Sequence, residues 1–364
     1  MNQAVNSDAA ERAEALQGIR DSVGAVVPRD GKLDRVRALR FEAPGHDPEV
    51  LARMGEMGWI GLLLPEEIGG VGLGLTELCA VAEELGRGLV PEPLVQAVLG
   101  AGVLAASGAD TELERVIAGT DYLPLAWQET VDSLDVQGTE GAMRLFVPGP
   151  QASAGFLVPV ASGEALRLCL CPPEAARIEV RETQDGGTVG LVTPDLSRSE
   201  QICGDIRSAL EQGLEIATLA TAAYLVGVMQ GAFDMTLDYM KNRKQFGREI
   251  GSFQVMQHRA VDLNTRIALS RAGVMSAAAL FDTVKDAASA SAQRQMAVSR
   301  AKASAAGNAM LVTRQAVQMH GAIGFTEEYD VGLYTRKAMV QAGMFGSAAF
   351  HRRRFLSLDR QVAA

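Results

Sequence analysis

The sequence predicts a mostly α-helical chain with a small β unit at its centre. Three observations predict it. From about residue 205 onward, apolar residues step by three and four. Residues 122–204 hold short apolar runs punctuated by Gly, Pro and acidic residues. Residues 1–121 hold spaced apolar segments separated by Gly/Pro clusters. A stripe of period 3.6 buries one face of a helix, whereas short runs between turn residues suit strands. The expected division is an N-terminal helical domain (1–121), a β sheet or barrel domain (122–204) and a C-terminal four-helix bundle domain (205–364).

In the first region, residues 47–58 and 75–86 read as helices. The run Gly69-Gly70-Val71-Gly72-Leu73-Gly74 between them invites a dinucleotide-loop reading. That fingerprint needs a strand before it and a helix after it in a βαβ unit. The surroundings read as helix–loop–helix, so a glycine-rich connection is the better account.

In the middle region, residues 144–147, 155–160, 166–171, 177–180 and 189–192 read as strands. Without helices between them they suggest a small antiparallel sheet or barrel. Cys169 and Cys171 alternate within an apolar run, as buried strand positions would.

In the last region, Leu225, Val228, Ala232, Met235 and Tyr239 form one stripe, and Phe253, Met256, Ala260, Leu263 and Ile267 another. Met296, Ala303, Met310 and Val317 recur by seven along an alanine-rich stretch. Breaks at 247–252, 282–285 and 321–326 divide the region into four long helices. Short connections favour antiparallel neighbours.

Composition excludes several functions. The 364 residues carry a formal charge of −10, so nothing draws the chain to nucleic acid or an anionic membrane. A local run such as Arg352–Arg354 could still meet a phosphate. The four cysteines form no CxxC pair, and the four histidines share no ligand spacing with them, which argues against zinc or a disulfide framework. The N-terminus is polar, and no stretch reads as long and apolar enough to cross a bilayer. The expectation is a reducing, cytoplasmic enzyme with no membrane insertion and no metal.

Two segments carry the functional signal. Arg243-Lys244-Gln245-Phe246-Gly247, followed by Gln254, closes the first bundle helix, and Gln318-Met319-His320-Gly321-Ala322-Ile323-Gly324-Phe325 ends the third. Either alone is an ordinary helix end, where basic residues complement the dipole and glycine stops the helix. Two such ends could also offer amide and backbone donors to a phosphate- or amide-bearing ligand. Together they resemble the two signatures of the acyl-CoA dehydrogenase family, R-x-x-F-G with a following Gln and Q-x-x-G-G-x-G. The loop Leu64-Pro65-Glu66-Glu67-Ile68-Gly69-Gly70 is similar to the family's N-terminal domain. The likeness spans nearly the whole chain, strong at both ends and weak in the middle.

The resemblance implies the fold above, FAD as cofactor, an acyl-CoA substrate and an electron-acceptor flavoprotein. It implies that Arg243 meets the FAD pyrophosphate of a neighbouring subunit, with Gln245 and Phe246 beside the same FAD. It places Gln254, Gln318, Gly321, Ala322 and Gly324 at the adenosine and diphosphate end. Ala322 stands where the family usually has its second glycine. The implied reaction is αβ-dehydrogenation: a glutamate takes the α-proton, donors polarise the thioester carbonyl, and the flavin accepts the β-hydride.

Two departures shape the expectation. The family's Glu-Gly-Thr turn falls on Phe345-Gly346-Ser347. Gly346 and Ser347 keep the turn and a hydroxyl, and the resemblance counts Ser347 among the FAD contacts, but Phe345 cannot accept a proton. The alternative base position, on the first bundle helix, falls on Ala217. Glu215, two residues away, sits on another helix face; a shift in helix start would make it the remaining candidate base, and otherwise it is expected at the solvated surface. In the middle region the A-x-T-E-P-x-A-G-S-D and W-I-T-N elements that hold the flavin ring are reduced to Ala126-Trp127-Gln128-Glu129-Thr130. Trp127 reads either as a neighbour of the isoalloxazine or as core.

The resulting expectation is one subunit of a heteromer, with a sister acyl-CoA dehydrogenase chain supplying the base and the ring pocket. A bulky acyl group, such as a sterol side chain, would suit a trimmed sheet. The rivals are a flavin-dependent oxidase or monooxygenase of the same fold, and a non-catalytic structural subunit.

Overall fold

The computed structural model describes residues 14, 16–28, 31–283 and 288–363. After a helical segment at 16–22 come α1 (Asp34–Leu39), α2 (Pro48–Glu56), α3 (Leu75–Arg87), α4 (Leu94–Ser107) and α5 (Asp110–Ile117). Local chemistry sets their starts. The Asp47 carboxylate accepts the Glu49 N–H at 3.0 Å, and Pro48 opens α2 where no N–H is needed. The glycine run forms a loop after the turn Glu66–Ile68 and leads into α3, with no strand before it.

The cap of α3 comes from a distant helix. Asp282 accepts the Leu75 and Thr76 N–H groups at 2.7 and 3.2 Å and the Thr76 hydroxyl at 2.6 Å. A carboxylate there satisfies orphan donors and complements the helix dipole. A Cβ on Gly74 would lie 2.8 Å from that carboxylate.

Six strands follow: β1 (Arg144–Pro148), β2 (Phe156–Ser162), β3 (Ala165–Cys171), β4 (Ala176–Glu182), β5 (Thr188–Pro194) and β6 (Glu200–Cys203). They form two three-stranded antiparallel sheets, ordered β1-β5-β4 and β2-β3-β6, rather than one sheet or barrel. Phe156, Val158, Cys169, Cys171 and Val192 share the core of this unit. Strand β6 was not among the strands expected, because Glu200-Gln201-Ile202-Cys203 is too short and polar to stand out.

Beyond it lie α6 (Arg207–Asn242), α7 (Gln254–Thr283), α8 (Ala288–His320), α9 (Val331–Gly343) and α10 (Ala348–Ala363). The expected fourth long helix is therefore two shorter ones. Phe345 (φ 54°) and Gly346 (φ 94°) take left-handed conformations that a helix cannot contain. The expected helix stop at Gly247 is also corrected: α6 ends at Asn242, and the chain continues as a hairpin of β7 (Lys244–Gln245) and β8 (Arg248–Glu249). Phe246 (φ 53°) and Gly247 (φ 81°) form its tip, the double positive φ of a tight hairpin turn.

Helix α6 overturns a further expectation. By length and composition it is apolar enough to cross a membrane, yet 89% of its apolar window is buried within this protein. It is the central helix of the body. Gly227 on α6 and Gly86 on α3 let the two backbones touch, since added Cβ atoms would lie 1.8 Å from Glu83 O and 2.0 Å from Tyr224 O. One hydrophobic core runs from the N-terminal helices through the C-terminal ones.

Candidate functional site

The two signature segments sit at one end of the helical body. Tyr239, in the last turn of α6, stacks on His320, the last residue of α8, with ring centroids 4.5 Å apart. Tyr329 packs on both rings, at 5.9 and 4.9 Å. His320 is buried, and its Nδ1–H donates to Ala316 O at 2.7 Å. Aromatic packing thus fixes the ends of α6 and α8 side by side.

From this end the hairpin projects outward. Arg243, Gln245, Gln254 and Gln318 are exposed, and Phe246 is 92% exposed. The hairpin is braced by Lys244–Glu249 at 3.4 Å and by Arg248 over the Phe253 ring at 4.1 Å. In the second segment Gly321 has φ +68°, and a Cβ on Gly324 would lie 2.6 Å from Val317 O, so both positions require glycine. Ala322 is exposed, which leaves its methyl room.

The turn Phe345-Gly346-Ser347 is elsewhere and is closed. Phe345 is buried and lies parallel to Trp127, with centroids 6.2 Å apart. The Ser347 N–H donates to Asp132 at 2.7 Å, and the Ser347 hydroxyl accepts the Phe350 N–H at 3.1 Å, capping α10. Arg353 pairs with the same Asp132 at 3.3 Å. From behind, Lys302 Nζ donates to Ala342 O and Gly346 O, each at 3.0 Å, and His351 Nε2–H donates to Phe345 O at 2.8 Å.

Burial pushes Lys302 down to about 7, and burial with the nearby Lys302 charge pushes His351 down to about 3. Between its usual 6.5 and about 3, His351 stays neutral in the folded chain and takes a proton in the unfolded one. Stability therefore falls as pH drops through that window, by up to about 1.4 kcal/mol per pH unit. Denaturant melts at pH 6.5 and 4 check this, and His351→Gln flattens that part of the dependence.

The remnant Ala126–Thr130 turns inward on its own loop. Glu129 accepts the Gly138 and Thr139 N–H groups at 2.7 and 3.1 Å and lies 3.3 Å from fully buried Arg144. Trp127 is core, stacked on Phe345.

Neither alternative base position presents a free acid. Ala217 is buried core. Glu215 is not at the solvated surface, as the sequence suggested: it is 7% exposed and forms a two-pronged ion pair with Arg354 of α10, which also reaches Ser299 at 3.2 Å. Burial pushes its carboxyl up and Arg354 opposes this. The correction comes from α10, which brings Arg354 over that face of α6.

Sequence reasoning missed Asp132, Lys302 and His351. Lys302 left one signal, the single lysine of an alanine-rich helix whose other cations are arginines. Among the described residues no group of three His, Cys, Asp or Glu is placed to hold a metal.

With this geometry in hand, the chain can be set beside known proteins. The family models "Acyl-CoA dehydrogenase, N-terminal domain" and "Acyl-CoA dehydrogenase, C-terminal domain" match residues 13–120 and 206–356. Acyl-CoA dehydrogenase IpdE2 of Mycolicibacterium smegmatis is 31% identical over 342 residues, covering 92% of this chain and 95% of that protein. A variant of the Tcur3481-Tcur3483 steroid ACAD superimposes with a TM-score of 0.83 at 26% identity, over 97% of this chain and 99% of the other. PigA, solved with FAD and proline, superimposes with a TM-score of 0.81 at 16% identity, over 97% and 98%. By these matches the chain belongs to the acyl-CoA dehydrogenase family, oxidoreductases that act on CH–CH donors.

Proposed function

We propose that this chain is one subunit of a heteromeric, FAD-dependent acyl-CoA dehydrogenase whose sister chain supplies the catalytic base and the flavin-ring pocket. The observation that carries this is the closed turn at Phe345. A base is missing there, and Trp127, Asp132, Lys302 and His351 take up the ring and backbone groups around it.

The fit to FAD divides into two halves. The exposed donors Arg243, Gln245, Gln254 and Gln318, with the glycines Gly321 and Gly324, suit the phosphate and adenosine half of an FAD held by a neighbour. Arg243 offers a planar fork to a pyrophosphate, and Phe246 offers an uncovered aromatic face. The ring half finds its expected lining in this chain already engaged, with Trp127 stacked on Phe345 and Asp132 bound to the Ser347 N–H. Bound FAD supplies the hydride acceptor. This chain's contribution is to hold its charged end. In this reading Ser347 serves the helix cap rather than the cofactor.

An acyl-CoA thioester is the substrate of the assembled enzyme, and a flavoprotein takes its electrons. The steroid ACAD among the solved relatives supports a bulky acyl group. Buried free thiols at Cys79, Cys169 and Cys171 support a reducing, cytoplasmic setting. The placement of both three-stranded sheets between Arg144 and Cys203, with only the short β7–β8 hairpin outside, supports a domain division at 121 and 204.

A purely structural subunit would have no use for a braced hairpin that exposes Phe246 beside Arg243. An oxidase of the same fold would show oxygen-dependent turnover. The deciding experiment is co-expression with the genetically adjacent dehydrogenase chain, followed by native mass and flavin absorbance. One FAD per pair of chains is expected. Full activity with one FAD per chain from this polypeptide alone would overturn the reading.

A further inference from the structure

A cavity of about 130 Å³ lies where the segment after α1, the start of α4, the β4–β5 hairpin, α6 and α9 converge, with Phe345 in its wall. It has room for about four water-sized groups at ~30 Å³ each. Three side chains of its lining each hold a buried polar atom with no partner: Arg40 Nη2, His46 Nε2 and Gln96 Oε1. His46 is 4% exposed, Gln96 6%, and the Arg40 side chain 9%. Nine such atoms occur among the described residues, and three of them belong to the lining of this one cavity. An unpartnered buried polar group is destabilising, so a cluster of them calls for an occupant.

The packing holds these residues around one space. The Asp47 N–H donates to Glu92 at 3.0 Å, which sets His46 beside the residue one turn before Gln96. Arg40 Nε donates to Asp185 O at 3.3 Å, and a Cβ on Gly45 would lie 3.4 Å from Gly187 Cα. The acids of the wall are already engaged, Asp185 with Lys337 at 2.5 Å and Glu92 with Arg35 at 2.8 Å. They therefore do not repel an anion as free carboxylates would.

The unpartnered atoms specify the occupant. Burial lowers the His46 pKa, which favours a neutral ring with one nitrogen a donor and the other an acceptor. Gln96 Oε1 is an acceptor, Arg40 Nη2 is a donor, and His46 Nε2 can pair with a hydroxyl in either tautomer. We propose that this cavity binds a small hydroxy-carboxylate, whose hydroxyls bond to His46 and Gln96 and whose carboxylate accepts from Arg40. Arg40 already pairs through Nη1 with Glu327 at 3.3 Å, and its unpartnered Nη2 still offers a cationic donor that favours a carboxylate over a neutral polyol.

Glycerate carries this donor and acceptor set and serves as the probe, titrated calorimetrically into the assembled enzyme with glycerol as the neutral control. One saturable glycerate site per copy of this chain is expected, with glycerol at least about tenfold weaker. Gln96→Met removes one unpartnered acceptor at nearly constant shape. It should leave the melting temperature without ligand unchanged or higher and weaken glycerate about tenfold. Should Gln96→Met fail to fold, Arg40→Lys provides the same loss of affinity. No saturable binding, affinity unchanged in the folded variant, or a glycerate-soaked crystal with only waters in the cavity would each overturn the proposal.

Discussion

Arg243→Ala should strip flavin from the assembled enzyme while leaving this chain folded. Arg243 is exposed at the end of α6, and its side chain forms no ion pair among the described residues. Its loss therefore removes little from the fold, and surface changes of that kind usually stay within about 0.5 kcal/mol. If it meets a neighbour's pyrophosphate, the missing charge-assisted contact is worth about 1.5–3 kcal/mol, or roughly 10- to 100-fold in FAD retention. Arg243→Lys should restore only part, since an ammonium cannot make the planar two-pronged contact. Absorbance of the purified complex before and after gel filtration reads this directly. Unchanged flavin content in Arg243→Ala would remove the assignment.

Glu215 provides the second large effect, and it bears on stability rather than on turnover. Arg354→Ala leaves the buried Glu215 carboxylate without its two-pronged partner, and breaking a buried pair from one side costs about 3–5 kcal/mol. Changing both, Glu215→Leu with Arg354→Met, should recover most of that loss, because a packed apolar pair needs no desolvation of charge. Urea melts of the double variant and of the single changes Glu215→Leu and Arg354→Met measure the coupling. Activity per folded assembled enzyme should stay near the parent value in the double variant. A loss of turnover without a loss of stability would instead mark Glu215 as the base.

How much of this was legible in the sequence depended on the range of the interaction. The stripes of α6 and α7 and five strand cores could be read because burial repeats at short spacing. Glycine requirements at Gly321 and Gly324 were visible as motif letters, though their reason, a left-handed φ and a contact 2.6 Å from Val317 O, was not. The closed turn was invisible. Asp132 lies 215 positions from Ser347, and no local pattern pairs an acid in a β-unit loop with a helix start that far away. Glu215 was misread for the same reason, since Arg354 comes from 139 positions away. The split between α9 and α10 was hidden because Phe345, a bulky residue, adopts φ 54°, a conformation that sequence preference assigns to glycine or asparagine. The stacked Trp127 ring belongs to the surroundings that hold it there.

The close backbone approach of α3 and α6 carries a consequence for folding order. Gly86 and Gly227 stand on opposite sides of the whole β unit, so the chain must finish or bypass residues 122–204 before these helices can meet. Contacts of such sequence separation are slow to form, because the intervening loop must close first. Once made, they join both helical ends of the chain into one cooperative block, into which Leu157, Leu166 and Leu168 of β2 and β3 also pack, while β1, β4 and β5 contribute only to the smaller nucleus. The β1-β5-β4 sheet can therefore be shortened with less penalty to the block than β2 or β3. Hydrogen exchange should find the deepest protection in α3 and α6, with β1, β4 and β5 opening as a separate and earlier unit.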